Sequence, residues 1–245
     1  KFFPNADSTT IRRNIPYPPD LCRTLGLATD TLEIERMKEL PYLEIVGSLL
    51  YLTTMTRPDL AFVVGLLCRF MSCPSMQCFE GAQSVLLYAS KTKHLALVYN
   101  KQFVVPSALW SERANIDNKT GIHAFCDSSW TSPKSTYGFV VFMGGGPICY
   151  CSRLSKVITD SVAYAEYSAV SVCTKDLSFI RNLCNEIGHV LQGPIVLGVD
   201  NNASISIADN VGVSKLTKHF DLAVHRIRDE VKMLRCKLKH VPTKA

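Results

Sequence analysis

The sequence predicts an α/β fold in which a mixed β-sheet with flanking helices follows a mostly helical segment. Between Pro41 and about Tyr99, apolar residues recur at intervals of three and four, which is typical of amphipathic helices. After Gly121 the pattern changes to short apolar strands, of which three precede a long helix and two follow it. Three successive strands followed by alternating helices and strands favour a sheet with both antiparallel and parallel neighbours.

Proline residues mark the helix boundaries predicted for the first half of the chain. A leucine-rich first helix precedes Pro58, which fits the first turn of a second helix that ends before Pro74. A third helix is predicted over residues 77–89, followed by a short strand over residues 95–99. Residues 1–38 have four prolines and no sustained period, so an irregular lead-in is predicted there.

The second half of the chain is divided by glycine-rich turns and by one long helical pattern. Its predicted elements are strands over 122–127, 137–143 and 148–152, a helix over about 161–187, a strand over 194–199, a short helix capped by Asn202, a helix over about 218–234 and a strand from Leu238. Residues 101–120 are polar and aperiodic, and we interpret them as a linker. The chain is therefore predicted to comprise a lead-in (1–38), a helical segment (39–100), that linker and a sheet domain (121–245).

Composition and charge favour a folded protein with a polyanionic partner. Of the 245 residues, 47% are hydrophobic, which excludes a wholly disordered chain. The formal net charge is +6, and the stretch from Val213 onward, with nine Lys and Arg against three acids, carries the whole surplus. A basic end on a near-neutral body is typical of nucleic-acid binding, although a solvated charged helix has the same composition.

The cysteines and the hydropathy pattern bear on the compartment of the protein. The ten cysteines lack the paired spacing of zinc sites, so we interpret nearly all of them as buried apolar residues in a reducing compartment. The longest apolar run, residues 60–68, is too short to cross a bilayer, and no signal peptide opens the chain. We expect an intracellular protein, in a cytoplasmic particle or the nucleus, that is not secreted, has no membrane partner and needs no small-molecule cofactor.

Three carboxylates occupy positions where they do not serve stability. Asp127 ends the first predicted strand, and Asp200 follows the most apolar strand, at the edge where α/β sheets build sites. Glu166 heads a stripe that must face the sheet: Val170, Cys173, Leu177, Ile180, Cys184 and Ile187. Carboxylates so placed would repel one another unless a divalent cation such as Mg²⁺ offsets their charge. Two such ions can activate a water molecule and stabilise the leaving oxygen of a phosphodiester. The alternative for each acid taken singly is a surface or capping role.

Two groups of motifs follow one another along the chain. The first comprises Val46–Leu52, Thr56–Phe62 and Arg69–Met71, and the second comprises Lys134–Gly138, Ala165–Tyr167, Val199–Asn201 and Thr217–Asp221. In the Pol polyproteins of copia-type LTR retrotransposons, which the chain resembles, the first group corresponds to the connection between reverse transcriptase and RNase H and the second follows the RNase H domain in order. The resemblance implies a connection segment over 39–100 and an RNase H-like five-stranded mixed sheet over 121–245. It implies hydrolysis of the RNA strand of RNA–DNA hybrids during reverse transcription.

The same resemblance implies the residues, cofactors and partners of the site. Asp127, Glu166 and Asp200 match the first three catalytic, metal-binding acids, which would hold two Mg²⁺ ions or Mn²⁺ as a substitute. The implied partners are an RNA–DNA hybrid and the remainder of the Pol polyprotein, including the polymerase palm. The residues expected to contact nucleic acid are Lys218, His219, Asn202 and Ser128.

Departures from the family pattern leave a second reading open. The family's fourth acid follows the Val-Pro-Thr that ends here at Thr243, so the sheet domain is expected to be truncated before its last helix. The paired aspartates of a polymerase palm are absent from the sequence, and no polymerase active site is expected in this chain. The alternative function is an inactive, truncated RNase H-like module of a decayed element that still binds nucleic acid.

Overall fold

The computed structural model describes residues 15–17, 21–100, 120–129, 134–156, 162–209 and 221–241. The chain divides into two compact units, Lys1–Leu97 and Val98–Ala245. Each unit contains its own cluster of buried apolar side chains. No helix within the described ranges is long and apolar enough to cross a membrane.

The regular elements described in the first unit are all helices. Its α-helices are α1 (Leu21–Thr24), α2 (Thr31–Glu39), α3 (Tyr42–Met55), α4 (Ala61–Leu67) and α5 (Met76–Lys91), with short 3₁₀ helices at Pro58–Leu60 and Cys68–Phe70. Helices α3, α4 and α5 bury their apolar faces against one another. The buried Tyr42 hydroxyl donates a 2.8 Å hydrogen bond to the Leu67 carbonyl and so ties α3 to the end of α4. The three helices predicted between residues 41 and 91 are confirmed.

Two predictions for the first half of the chain require correction. Residues 31–38, predicted to be irregular, form most of α2, because the Asp30 carboxylate accepts from Leu32 N and caps the helix. The Glu33 carboxylate also accepts a 2.7 Å hydrogen bond from Met76 N and joins α2 to the start of α5. Residues 95–99 do not form the predicted strand. The next residue, Asn100, donates a backbone hydrogen bond to the Gly144 carbonyl at 2.6 Å. A single bond of this kind does not form the hydrogen-bond ladder of a strand.

The second unit contains a five-stranded mixed sheet with the order β3-β2-β1-β4-β5. Its strands are β1 (Ile122–Ser129), β2 (Thr136–Met143), β3 (Gly146–Leu154), β4 (Ile195–Val199) and β5 (Cys236–His240), and its helices are α6 (Val162–Glu186), α7 (Asn202–Asp209) and α8 (Asp221–Lys232). Strands β1, β2 and β3 are antiparallel neighbours, whereas β4 is parallel to both β1 and β5. Gly144 and Gly145 have positive φ angles of 59° and 83°, as a two-residue hairpin turn requires. The predicted fold class, a mixed five-stranded sheet with flanking helices after a mostly helical segment, is confirmed.

Helix α6 covers one face of the sheet. Its buried side chains pack on the β1 residues Ile122, Ala124 and Cys126 in a single apolar cluster. The predicted sheet-facing stripe is confirmed from Val170 to Cys184 and is wrong at Ile187, which is 71% exposed. The helix ends at Glu186 and the chain turns at a positive-φ glycine two residues later, so Ile187 leaves the helical face.

The opposite face of β1 and β2 carries a buried histidine, His123, packed between two half-buried phenylalanine rings. The rings of His123 and Phe142 stack with centroids 5.2 Å apart, and Phe125 meets the His123 ring edge-on at 5.7 Å. Burial lowers the pKa of His123 to about 4. The folded protein therefore holds this imidazole neutral at pH values where a histidine in the unfolded chain is protonated.

We expect His123 to make the second unit acid-sensitive. The unfolded state binds a proton at His123 below about pH 6.5 and the folded state only below about pH 4, so stability falls as the pH is lowered through that window. The loss attributable to this residue is up to about 3 kcal/mol. His123→Phe keeps a ring between Phe125 and Phe142 and removes the titration. Urea unfolding followed by circular dichroism at pH 7 and pH 4.5 should show a smaller fall in the midpoint for the variant, and equal falls would contradict the assignment.

Candidate active site

Parallel pairing of β1 with β4 brings two of the predicted acids to one edge of the sheet. The register pairs Phe125 with Gly198. Asp127 lies two residues after Phe125, and Asp200 lies two residues after Gly198. Parallel strands advance in the same direction about 4.8 Å apart, so the two aspartates lie side by side where β4 ends. This is the carboxyl edge of the sheet, where open α/β sheets place their binding sites.

Helix α6 supplies the third predicted acid near its first turn. Glu166 is half-buried against the sheet, and burial is the main cause that raises the pKa of its carboxyl group. The side chain of Asn201 hydrogen-bonds to this carboxylate and lowers the pKa, while the negative charges of Asp200 and Asp127 raise it. These interactions show that β1, β4 and α6 bring the three predicted acids within electrostatic reach of one another.

The individual carboxylates have different surroundings. Asp127 is exposed, and its Oδ1 accepts a 2.7 Å hydrogen bond from Ser128 N. Glu166 Oε2 is buried and, within the described part of the chain, has no hydrogen-bond partner. The carbonyl oxygen of Asp200 lies 3.1 Å from Nε2 of His240, which ends β5. The edge therefore combines an accessible carboxylate with a buried oxygen that lacks a donor.

These residues fit a divalent cation in part. All three offer carboxylate oxygens, the ligands that Mg²⁺ prefers, and a buried oxygen without a donor is costly unless a cation contacts it. In the described ranges, no group of three or more His, Cys, Asp or Glu side chains is already arranged to hold a metal ion. The three acids are therefore neighbours whose side chains do not yet converge on one point.

The predicted nucleic-acid contacts fall in different surroundings. Asn202 is exposed at the first position of α7, and Ser128 lies in β1 with a buried hydroxyl that has no partner among the described residues. Lys218 and His219 lie outside the described residues. On β5, Lys237 is exposed and Lys239 is half-buried, so part of the predicted basic end flanks the sheet.

Sequence reasoning assigned no role to Asn201 and His240. Asn201 was visible only as the residue after Asp200, and its contact is with a helix distant in the sequence. His240 lies beside Val199 because β5 is parallel to β4, a pairing that no local pattern reveals. The observation that could have pointed to both residues is their nearness to the end of β4, the most apolar strand.

Comparisons with known proteins identify the relatives of the chain. No family model matches it. The retrovirus-related Pol polyproteins from transposons RE1 and RE2 of Arabidopsis thaliana are 29% and 30% identical to it over 206 residues, or 82% of the chain. The secreted RxLR effector protein 161 of Plasmopara viticola is 31% identical over 144 residues, which cover 57% of the chain and 91% of that protein.

The predicted resemblance is thereby confirmed: the chain is homologous to retrovirus-related Pol polyproteins from copia-type transposons. It spans about 13% of the length of the RE1 and RE2 polyproteins. Among solved structures, it is similar to RNase H1 from Halobacterium salinarum NRC-1, with 18% identity, a TM-score of 0.33 and coverage of 50% of this chain and 86% of that one. It is also similar to LC11-RNase H1 in complex with an RNA/DNA hybrid, with 13% identity, a TM-score of 0.38 and coverage of 50% and 86%.

Proposed function

We propose that residues 121–245 are a ribonuclease H that hydrolyses the RNA strand of RNA–DNA hybrids by metal-dependent phosphodiester hydrolysis. The observation that carries the proposal is the meeting of Asp127, Glu166 and Asp200 at one sheet edge, with a buried Glu166 oxygen that lacks a donor. Similarity to retrovirus-related Pol polyproteins supports it, because a retrotransposon requires an RNase H for reverse transcription. In this proposal residues 39–100 are the reverse-transcriptase connection segment and 101–120 a linker.

The three acids would hold the metal in the proposed mechanism. Two Mg²⁺ ions, or Mn²⁺ in their place, would activate a water molecule and stabilise the leaving oxygen. Asp127, as the exposed carboxylate, would hold the metal together with Glu166 from the helix and Asp200 from the neighbouring strand. Asp127 is more accessible than Glu166, because its side chain is exposed and that of Glu166 is half-buried.

The proposal includes a nucleic-acid substrate and a protein partner. An RNA–DNA hybrid would be read through its backbone and 2′-hydroxyls rather than its bases, with contacts from Ser128, Asn202, Lys218 and His219. The remainder of the Pol polyprotein, including a polymerase palm, is the second proposed partner, since the chain spans only about 13% of its relatives. Reverse transcription places this activity inside the cell.

Cleavage of a labelled RNA–DNA hybrid in Mg²⁺ tests the proposal on the full chain. We expect the wild type to cut the RNA strand, and Asp127→Asn and Glu166→Gln to lose at least about 100-fold in rate, since loss of a direct ligand costs more than loss of its supporting contacts. Asp176→Asn is the matched control, because Asp176 is another half-buried acid of α6 with a pKa raised by burial. It should cut like the wild type.

One observation favours the alternative of an inactive binding module: the described carboxylates are not already arranged as a metal site. That function predicts hybrid binding that weakens steeply with salt and no cleavage by any variant. Wild-type protein that binds the hybrid and leaves it intact in both Mg²⁺ and Mn²⁺ would therefore reject the nuclease in favour of the module.

A further inference from the structure

The outer face of α3, on the side away from α4 and α5, is largely apolar. Four large side chains on it are between 44% and 65% exposed: Leu43, Leu50, Tyr51 and Met55. Glu44 is the only charged residue among the fourteen residues of this helix. A helix that is hydrophobic on all sides is normally buried on all sides, and α3 packs only its inner face into the core of the first unit. The composition of the outer face therefore indicates a contact surface.

A cavity adjoins the amino end of this outer face. It has a volume of about 410 Å³ and is lined by α2, the start of α3 and residues 71–74. Its apolar lining includes Ile34, Met37, Leu40 and Met71. Leu43 lines the cavity and is also exposed on the outer face, so the two are continuous. A cavity of this size can accept a large apolar side chain from a partner.

Gly47 lies in the middle of the outer face. It is four residues after Leu43 and four before Tyr51, so all three share one side of the helix. A Cβ atom at Gly47 would have no neighbour within 4 Å, and the glycine therefore leaves a notch that another helix can approach closely. A second α3 that crosses there in antiparallel orientation would place Tyr51 of each copy opposite Leu43 of the other. Met55, about 12 Å beyond the crossing, would reach the cavity of the other copy.

Charge and area both suit a second copy of this chain. Residues 1–97 contain ten Lys and Arg against nine Asp and Glu, so two such units do not repel each other strongly. Helix α3 has no cation, which argues against a nucleic-acid backbone as its cover. The four exposed side chains offer roughly 400 Å² of apolar surface, a size that marks interaction sites on monomers. Two copies with their polar rims reach the roughly 1,000 Å² that a specific, transient interface requires.

We propose that the outer face of α3 is a homodimer interface, in which two copies of this chain pack α3 against α3 in antiparallel orientation around Gly47. The surface is self-complementary, since each copy supplies Met55 to the other and receives it in its own cavity. The interface lies within the first unit, and it does not depend on the activity proposed for the second.

Sedimentation equilibrium of the full chain without nucleic acid tests this interface. We expect the wild type to shift from monomer to dimer between about 1 and 100 µM, as a small interface does. Tyr51→Glu should weaken dimerisation at least about 10-fold, because it buries an unpaired carboxylate. Phe179→Glu is the matched control, since Phe179 is an aromatic residue of α6 with 64% exposure against 65% for Tyr51. It should dimerise like the wild type.

Gly47→Leu separates a specific helix crossing from general adhesion of apolar surfaces. The leucine finds open space in the monomer and adds apolar surface, yet it fills the notch and keeps the two helices apart. We expect dimerisation at least about 10-fold weaker, with an equal or higher urea midpoint, since leucine favours a helix more than glycine. A tighter dimer in Gly47→Leu, or loss of the dimer in Phe179→Glu, overturns the proposal. A wild type that stays monomeric at about 100 µM also overturns it and assigns the face to another partner, such as the remainder of a Pol polyprotein.

Discussion

Replacing Arg57 with methionine is expected to lower the free energy of unfolding of the first unit by about 3–5 kcal/mol. The Arg57 guanidinium is buried and donates to both carboxylate oxygens of Asp59, from Nε at 2.9 Å and from Nη2 at 2.7 Å. Nη2 also donates to the Thr92 hydroxyl at 2.8 Å, and Nη1 donates to the Ala89 carbonyl at 3.4 Å. One side chain thus joins the 3₁₀ turn at residues 58–60 to the carboxyl end of α5.

The substitution to methionine removes the charge and the donors of Arg57 and keeps its apolar packing. It retains an apolar stem against the core and over the Tyr88 ring, which lies 5.4 Å from the guanidinium carbon. It leaves the buried Ala89 carbonyl and the Thr92 hydroxyl without the donor that Arg57 supplies, and Asp59 without its cationic partner. Unsatisfied groups of this kind cost more than the pair contributes, which is why the expected loss is large.

Amide hydrogen exchange resolved to single residues measures this loss in the first unit alone. Protection of α3 and α5 should fall together in Arg57→Met, because the substitution loosens the contact between α5 and the turn that follows α3. Asp59→Asn is the control. It keeps an oxygen acceptor and has a side chain 34% exposed to solvent, so its cost should be about 1 kcal/mol. Equal losses for the two variants would show that the ion pair, rather than the buried donors, carries the energy.

The fold was predictable where the pattern was local. Alternation and glycine turns located the strands, and the three- and four-residue spacing of α6 placed Glu166 on the sheet side because helix geometry fixes which residues share a face. The placement of Asp127 and Asp200 at one edge was also predictable, since parallel strands end at the same edge of a sheet. These predictions needed only secondary structure and its periodicity.

The remaining features depend on contacts between distant segments. The hydrogen bond between Asn201 and Glu166 has no sequence signal, because an amide is equally common in a turn. Tyr99 lies in a segment that was predicted to be a strand, yet its backbone joins no described strand. Its contact with the sheet is made by the side chain, whose hydroxyl donates to the Pro147 carbonyl. Helix α2, which Asp30 caps, was not predicted because the prolines of residues 1–38 indicated an irregular segment.

Gly198→Ala is expected to destabilise the second unit by about 2–3 kcal/mol, although it adds a single methyl group. Gly198 is the fourth of the five residues of β4 and is the register partner of Phe125. A Cβ atom at this position would lie 2.7 Å from Phe125 Cδ1 and 2.9 Å from Val241 Cγ2, closer than van der Waals contact permits. The missing side chain is what allows the Phe125 ring to lie across β4, and strand glycines commonly mark such close approaches.

The strain should also reach the candidate site, because Phe125 and Gly198 each precede one of its aspartates by two residues. Phe125→Val removes the δ and ε carbons that obstruct the new methyl group, so the double variant should recover part of the stability that Gly198→Ala loses, a coupling of about 1 kcal/mol. Urea unfolding of the two single variants and the double variant measures it. If the two losses simply add, Phe125 is not the obstruction, and the glycine serves the close approach of Val241 on the other side of β4.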